Sequence, residues 1–344
     1  MELKDFGYDL PPELIAQEPV EPRDHSRLLV LRRAGGPLEH RRFADLPVYL
    51  HPGDALVLND TRVLPARLLG RKAGSGGRAE LLLLRRLERD RWEVLCRPGR
   101  RLPPGTEVVF GEEGRALLRA RLGPEVGDGV RLADFTCQGT FEAVLDTLGH
   151  VPLPPYITRR PQDPERYQTV YARAPGSAAA PTAGLHFTPE LLDRVRAAGT
   201  EVVPLTLHVG LGTFRPVQAE RVEEHRMHAE YYELPERSAA VLNRARAQGG
   251  RIVAVGTTVA RTLETATTPG GTVQPGSGWT DIFIYPGYRW KAVDALVTNF
   301  HLPRSTLLML VSAFAGRERV LQAYREAVDH GYRFYSFGDA MLML

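Results

Sequence analysis

Residues suited to proton and anion chemistry gather where the sequence predicts its elements to end. LVLNDTRVLPARL sets Asn59, Asp60, Thr61 and Arg62 directly after an apolar strand. VTNFHLPRSTLL does the same with Asn299 and His301, and His208 ends the strand read over Thr200–His208. In AAAPTAGLHFTPELL a small-residue run carrying Thr182 and Gly184 ends at His186, just before Thr188-Pro189 opens a helix. TDIFIYPG reads as a further strand with Asp281 at its start. An imidazole titrates near neutral pH and serves as acid or base. Ligands of α/β folds collect beyond the carboxyl ends of strands. Several such clusters at element ends therefore predict a polar site.

VAVGTTVARTLE adds an anion site. A buried strand runs into Gly256, Thr257 and Thr258, where a helix begins. Free N–H groups, the helix dipole and two hydroxyls favour a negative group there, with ordinary N-capping as the competing reading.

Several chemistries are disfavoured. The sequence has no Walker A loop, no G-x-G-x-x-G, no G-x-S-x-G elbow and no H-E-x-x-H. His225 and His228 in HRMH invite a metal, but no second cluster completes a ligand set, and on a strand the two rings would face opposite ways. Cys96 and Cys137 stand apart, outside any CxxC, and read as small hydrophobes. No metal site is expected.

The elements that must position these residues form two textures. Short strands and helices over the first 61 residues, among them a helix around Phe43–Leu50, and again from 136 to 344, read as an α/β domain: a mixed sheet with helices on its faces, built from both ends of the chain. TPELLDRVRAAG is its clearest helix, with Thr188 as N-cap, Pro189 at the first position and Gly199 closing it. Residues 62–135 differ. ARLLGRK, AELLLLRRL, RWEVLCRP, TEVVFG, RALLRARL and GVRLADF are six short strands separated by turns, the pattern of an inserted small β-barrel. The stretches GSGG, 172–184 and 267–280 read as mobile loops.

The charge is uneven. The net charge is +3, yet the segment from Arg62 to Asp134 carries 16 Arg/Lys against 10 Asp/Glu, leaving the rest of the chain mildly acidic. That asymmetry is a candidate nucleic-acid footprint on the barrel. MELKDFGYDL has neither a basic nor an apolar leader, and no apolar run is long enough to span a bilayer, so a cytoplasmic protein is expected.

PTAGLHFT with HVGLGTFRPV, then EEHRMHAEYYEL, VGTTVARTLE, TDIFIYPGYRW and LVTNFHLPRSTLLMLVSAFAG, closely resemble the S-adenosylmethionine:tRNA ribosyltransferase-isomerases of queuosine biosynthesis. The similarity runs from DFGYDLPPELIAQEP to YRFYSFGDAMLM. The resemblance implies an α/β domain with an inserted barrel. It also implies transfer of the ribosyl part of S-adenosylmethionine, a cosubstrate, to 7-aminomethyl-7-deazaguanine at the tRNA wobble position. Adenine and methionine leave, and the ribose is isomerised to give epoxyqueuosine-tRNA. No prosthetic group, metal or membrane is implied, and a monomer is expected. The competing readings are a conventional S-adenosylmethionine-dependent tRNA methyltransferase, a non-enzymatic tRNA-binding protein and a metal-dependent hydrolase.

Such a reaction needs a base for the hydrogens beside the sulfonium, an acid for the departing adenine, an anion site for the methionyl carboxylate and partners for ribose hydroxyls. His186 is the expected acid–base group, with His208 and His301 competing for the complementary role and Asp60 and Asp281 as orienting carboxylates. Thr182, Gly184, Arg62, Gly256, Thr257, Thr258 and Asn299 are expected to bind substrate. Arg85, Arg86, Arg100 and Arg101 of the barrel, with Arg215 and Arg304, are expected to meet tRNA phosphate.

Overall fold

The computed structural model describes residues 1–344 apart from 113–114, 128, 160–162, 211–216 and 218. It divides into two compact units, Met1–Arg62 with Pro154–Leu344, and Val63–Leu153.

The first unit is built on a nine-stranded mixed sheet. At its centre β3 (Ala55–Asn59) lies between β13 (Glu201–Leu207) and β15 (Ile252–Val255), with β17 (Ala295–Asn299) beyond β15, all parallel. ALVLN, IVAV and ALVTN are buried throughout, as strands covered on both faces must be. On one side β17 pairs antiparallel with β18 (Ala340–Met343), which pairs parallel with β1 (Arg27–Leu31). The charged edge strand β2 (Glu39–Arg42) follows. On the other side come β14 (Glu230–Leu234) and β16 (Gly276–Thr280), both antiparallel. Two apolar clusters hold this unit together. One gathers α3 (Glu236–Ala247), α4 (Thr257–Ala266), α5 (Thr306–Ala315) and α6 (Arg317–Asp329), and the other α2 (Pro189–Ala197) and the 3-10 turn Phe43–Tyr49. A short pair, β4 (Thr61–Val63) with β12 (Ala174–Ser177), lies beyond the end of β3.

Helix α2 starts and stops as its sequence requires. Thr188 Oγ1 accepts the Leu191 N–H at 3.1 Å, Pro189 occupies the first turn, and Gly199 at φ +84° closes the helix against Pro52.

The second unit is a closed antiparallel barrel. Strands β5 (Arg67–Lys72), β6 (Arg78–Arg86), β7 (Arg91–Arg97), β10 (Val130–Cys137), β9 (Arg115–Gly127) and β8 (Glu107–Glu112) follow one another, and β8 returns to β5. The six strands read from the sequence are those observed. Helix α1 (Phe141–Leu148), assigned from sequence to the α/β part, instead places Phe141, Val144 and Leu145 in the barrel's core. The two-residue strand β11 (Gly149–His150) pairs with β5.

Three local readings are corrected. TDIFIYPG is not a strand; the strand is the preceding Gly276–Thr280, recruited from the expected loop by pairing Trp279 with Tyr231. Asp281 therefore follows a strand and is exposed. Within 172–184, residues 178–181 and 183–184 are buried. The expected helix at 43–50 is a 3-10 turn, with Pro47 inside it.

Candidate active site

A cavity of about 760 Å³ opens beyond the carboxyl ends of β15 and β17. Its walls come from residues 179–183, 256–258 and 298–307, closed by Tyr156, Tyr167, Tyr335 and Ser336. Parallel strands deliver both Gly256 and Asn299 to this end of the sheet, and a helix starts a few residues after each.

The helix starts set the electrostatics. Gly256, at φ +93°, precedes α4 and offers no side-chain cap, so the first N–H groups of α4 have no side chain closing them off. Ser305, Thr306 and Leu307, at the start of α5, line the same cavity. Two helix N-termini thus bring partial positive charge to one wall. Arg304, at φ +59°, and Tyr335, at φ +73°, are the two non-glycine residues with positive φ among the described residues, and both line this cavity. Backbone strain of that kind concentrates where a site fixes a side chain.

The two histidines reach this region differently. His301 lines the cavity; its Nε2 lies 2.7 Å from Thr298 Oγ1 and its backbone N–H donates to Tyr324 Oη at 3.0 Å. Burial pushes its imidazole down to about 3, so the ring is neutral near pH 7. His186 does not line the cavity. Asn299 Nδ2 donates to its Nε2 at 3.1 Å, which leaves the ring's proton on Nδ1, 2.7 Å from Ser26 Oγ. Its ring stacks on Phe43 at 4.9 Å. Burial, with the Arg333 and Arg23 charges adding, lowers its pKa to about 3. His186 is a neutral bracket behind Asn299, whose Nδ2 also donates to the Tyr335 carbonyl and whose buried Oδ1 has no hydrogen-bond partner among the described residues. Tyr156, held at 2.5 Å from Ser336 Oγ and tilted against Tyr335, has its pKa pushed up to about 12 by burial.

Of the residues predicted from sequence, Thr182, Gly256, Thr257, Thr258, Asn299, His301 and Arg304 come together on the cavity wall. The others do not. His208 Nδ1 lies 2.8 Å from Thr61 Oγ1, and burial lowers its pKa. Asp60 accepts from Thr206 at 2.6 Å and pairs with Arg173 at 2.8 Å. Arg62 pairs with Glu165 at 2.5 Å. Gly184 is where Tyr171 packs, since a Cβ there would lie 2.0 Å from the Tyr171 hydroxyl. In the barrel, Arg85 is bidentate to Glu93 and Arg86 reaches Glu142. Arg100 and Arg101 sit exposed on a 3-10 turn. Arg215 lies outside the described residues. Sequence reasoning missed Tyr156, Thr298, Tyr335 and Ser336. Only the strand-end rule applied to Thr298 had a signal to offer.

A discontinuous α/β unit, a closed barrel, and a cavity with a neutral histidine and two helix starts at parallel strand ends are the architecture of an α/β enzyme with an inserted barrel. The family described as queuosine biosynthesis protein matches residues 3–343, and the chain belongs to it. The S-adenosylmethionine:tRNA ribosyltransferase-isomerases of Moorella thermoacetica and Symbiobacterium thermophilum are 64% and 62% identical, with 100% of each chain covered. The crystal structure of an S-adenosylmethionine tRNA ribosyltransferase from Thermotoga maritima is 45% identical over 99% of this chain and 100% of that one, with a TM-score of 0.57. Among the described residues no helix is long and apolar enough to cross a membrane.

Proposed function

We propose that this chain is an S-adenosylmethionine:tRNA ribosyltransferase-isomerase. It moves the ribosyl moiety of S-adenosylmethionine onto 7-aminomethyl-7-deazaguanine in the wobble position of tRNA, releasing adenine and methionine and leaving epoxyqueuosine. The observation that carries this reading is the cavity wall: the unclosed start of α4 and the start of α5 beside Asn299 and His301, in a chain 64% identical end to end to a protein of that name.

The residues divide the work by their surroundings. The methionyl carboxylate sits against the N–H groups and hydroxyls of Thr257 and Thr258. His301, neutral and on the wall, is the group that takes or returns a proton next to the sulfonium-bearing carbon, with Thr298 fixing its ring. His186 acts as a positioning residue through Asn299 rather than as the acid or base itself. Arg100 and Arg101 meet the tRNA backbone. The enzyme works as a cytoplasmic monomer without a prosthetic group.

The test is product analysis with S-adenosylmethionine and a tRNA carrying the aminomethyl base. Adenine and methionine in equal amounts, with a matching gain in tRNA mass, are expected. S-adenosylhomocysteine in their place would refute the reading. His301→Gln should lower kcat at least about a hundredfold, within the usual range for a general acid–base group. Near-normal kcat would remove His301 from the proton transfer.

A further inference from the structure

Three side chains that play no part in the cavity meet where the sheet's edge strand passes the end of α6. His40 on β2, Glu326 in the last turn of α6 and His330 capping that helix bring one ligand atom each within 4.8 Å of one another. Glu326 and His330 are four residues apart, so the helix sets them on one face.

The hydrogen bonds around them decide which atoms are available. His330 Nδ1 lies 2.8 Å from the Glu326 carbonyl oxygen, which can only accept. The proton of neutral His330 therefore sits on Nδ1, and its Nε2 lone pair is left for another partner. His40 Nδ1 lies 2.8 Å from Tyr332 Oη, and its Nε2 is 3.1 Å from Glu326 Oε1. Ligand atoms about 2.0–2.1 Å from a tetrahedral zinc ion stand roughly 3.4 Å apart. The His40–Glu326 separation is already close to that. The two imidazole rings lie with centroids 4.6 Å apart, tilted by 31°. Each imidazole thus has its Nδ1 held by an oxygen of the protein, the arrangement that orients metal-ligating histidines. Arg27, which donates to the His330 carbonyl at 3.0 Å, covers the Tyr332 ring at 4.1 Å and has its charge matched by Asp339 at 3.0 Å.

We infer that His40, Glu326 and His330 form a binding site for a divalent transition-metal ion of the zinc type, held by His40 Nε2, His330 Nε2 and a Glu326 carboxylate oxygen, with water at the fourth position. On binding, the His40 proton moves from Nε2 to Nδ1 and is donated to Tyr332 Oη, while the tyrosine proton turns away. No net proton is released from the neutral rings. Two imidazoles and one carboxylate suit zinc, cobalt or nickel better than magnesium or calcium, which prefer all-oxygen sites. The ion would tie β2, an edge strand of the sheet, to the end of α6.

The experiment uses the full chain freed of metal by chelator and titrated with zinc chloride by calorimetry, and separately with cobalt chloride by visible absorption. One ion per chain with micromolar or tighter affinity, and the visible bands of four- or five-coordinate cobalt, are expected. His40→Ala and His330→Ala should each weaken zinc binding by more than about tenfold. His225→Ala with His228→Ala, away from the cluster, should bind as the wild type does. Each variant's circular dichroism is checked against the wild type, and Glu326→Gln, which keeps shape and hydrogen bonding, provides a second reading if an alanine variant fails to fold. Absence of saturable binding, or equal binding by wild type, His40→Ala and His330→Ala, would overturn the site.

Discussion

Two buried imidazoles make stability depend on pH over a window that can be worked out in advance. His186 and His301 are held near pKa 3, against 6.5 for an unperturbed histidine. As pH falls through 6.5 each ring of the unfolded chain takes up a proton, whereas the folded protein resists doing so until about 3. Stability is therefore lost from about pH 6.5 downward, and the loss levels off near pH 3. At about pH 5 the unfolded rings sit roughly 1.5 units past their midpoint. At 1.36 kcal/mol per unit that is about 2 kcal/mol for each ring, or about 4 for both. The figure hardly depends on the folded value so long as that lies below about pH 4. The assay is urea unfolding at about pH 7.5 and pH 5, followed by fluorescence in a Trp92→Phe background so that the barrel is silent. Wild type is compared with His186→Asn/His301→Asn. Carboxylates titrate alike in both proteins and cancel in the difference. The wild type should lose about 4 kcal/mol more than the double variant between the two pH values, and each single variant should remove about half of that excess. An equal loss in all four proteins would refute the assignment of two buried neutral rings.

Three further outcomes are expected. Arg100→Glu/Arg101→Glu should raise KM for tRNA far more than KM for S-adenosylmethionine and flatten the salt dependence of tRNA affinity by a slope of about 2; the same change at Arg85 and Arg86, already paired with Glu93 and Glu142, should do less. Equal effects at the two pairs would remove the exposed turn from the interface. Fully buried Glu264 accepts from the backbone N–H groups of Lys291, Ala292 and Val293 and from Tyr288 Oη at 2.9 to 3.1 Å, so Glu264→Ala should cost at least about 3 kcal/mol in urea unfolding. Gly184→Ala drives a methyl group to 2.0 Å from the Tyr171 hydroxyl and should cost about 1–3 kcal/mol, partly recovered by Tyr171→Phe; unchanged melting would show that the loop yields.

The sequence carried the fold well because its strongest signals are local. Continuous apolar runs such as ALVLN and IVAV can only be strands covered on both faces, and Gly/Pro-punctuated alternation from residue 67 marks the barrel. It carried the site in part. Gly256–Thr258 and Asn299–His301 were legible because each follows a buried strand and precedes a helix. His186 stands in an equally polar context, yet the fold turns it inward onto Phe43, and nothing local separates a histidine facing a cavity from one facing Asn299. Tyr156 and Tyr335 come from segments without periodicity, and Tyr335, at positive φ, is held through its carbonyl by Asn299 and Gly338, contacts that only the fold supplies. The His40, Glu326 and His330 cluster was invisible for a plainer reason: its members lie 286 or more positions apart on one side, and only the sheet order joins them.

The charge plan of the cavity bears on the proposed substrate. S-adenosylmethionine presents a carboxylate beside an ammonium and a sulfonium, so a lysine placed to hold the first would repel the other two. Two helix starts avoid that conflict. Their partial charges are fixed on N–H groups and fall off within the first turn, close enough for a carboxylate and weak at the sulfonium. None of the chain's three lysines lines the cavity; the cationic side chain on its wall among the described residues is Arg304, two residues before α5. Tyr156 and Tyr335, tilted together at 4.2 Å, put two aromatic rings on the same cavity. A neutral His301 fits the same plan, since a protonated ring beside the sulfonium would oppose binding, while a neutral one can accept the proton that the sulfonium acidifies. Burial thus holds the ring in its neutral, proton-accepting form while lowering its basicity.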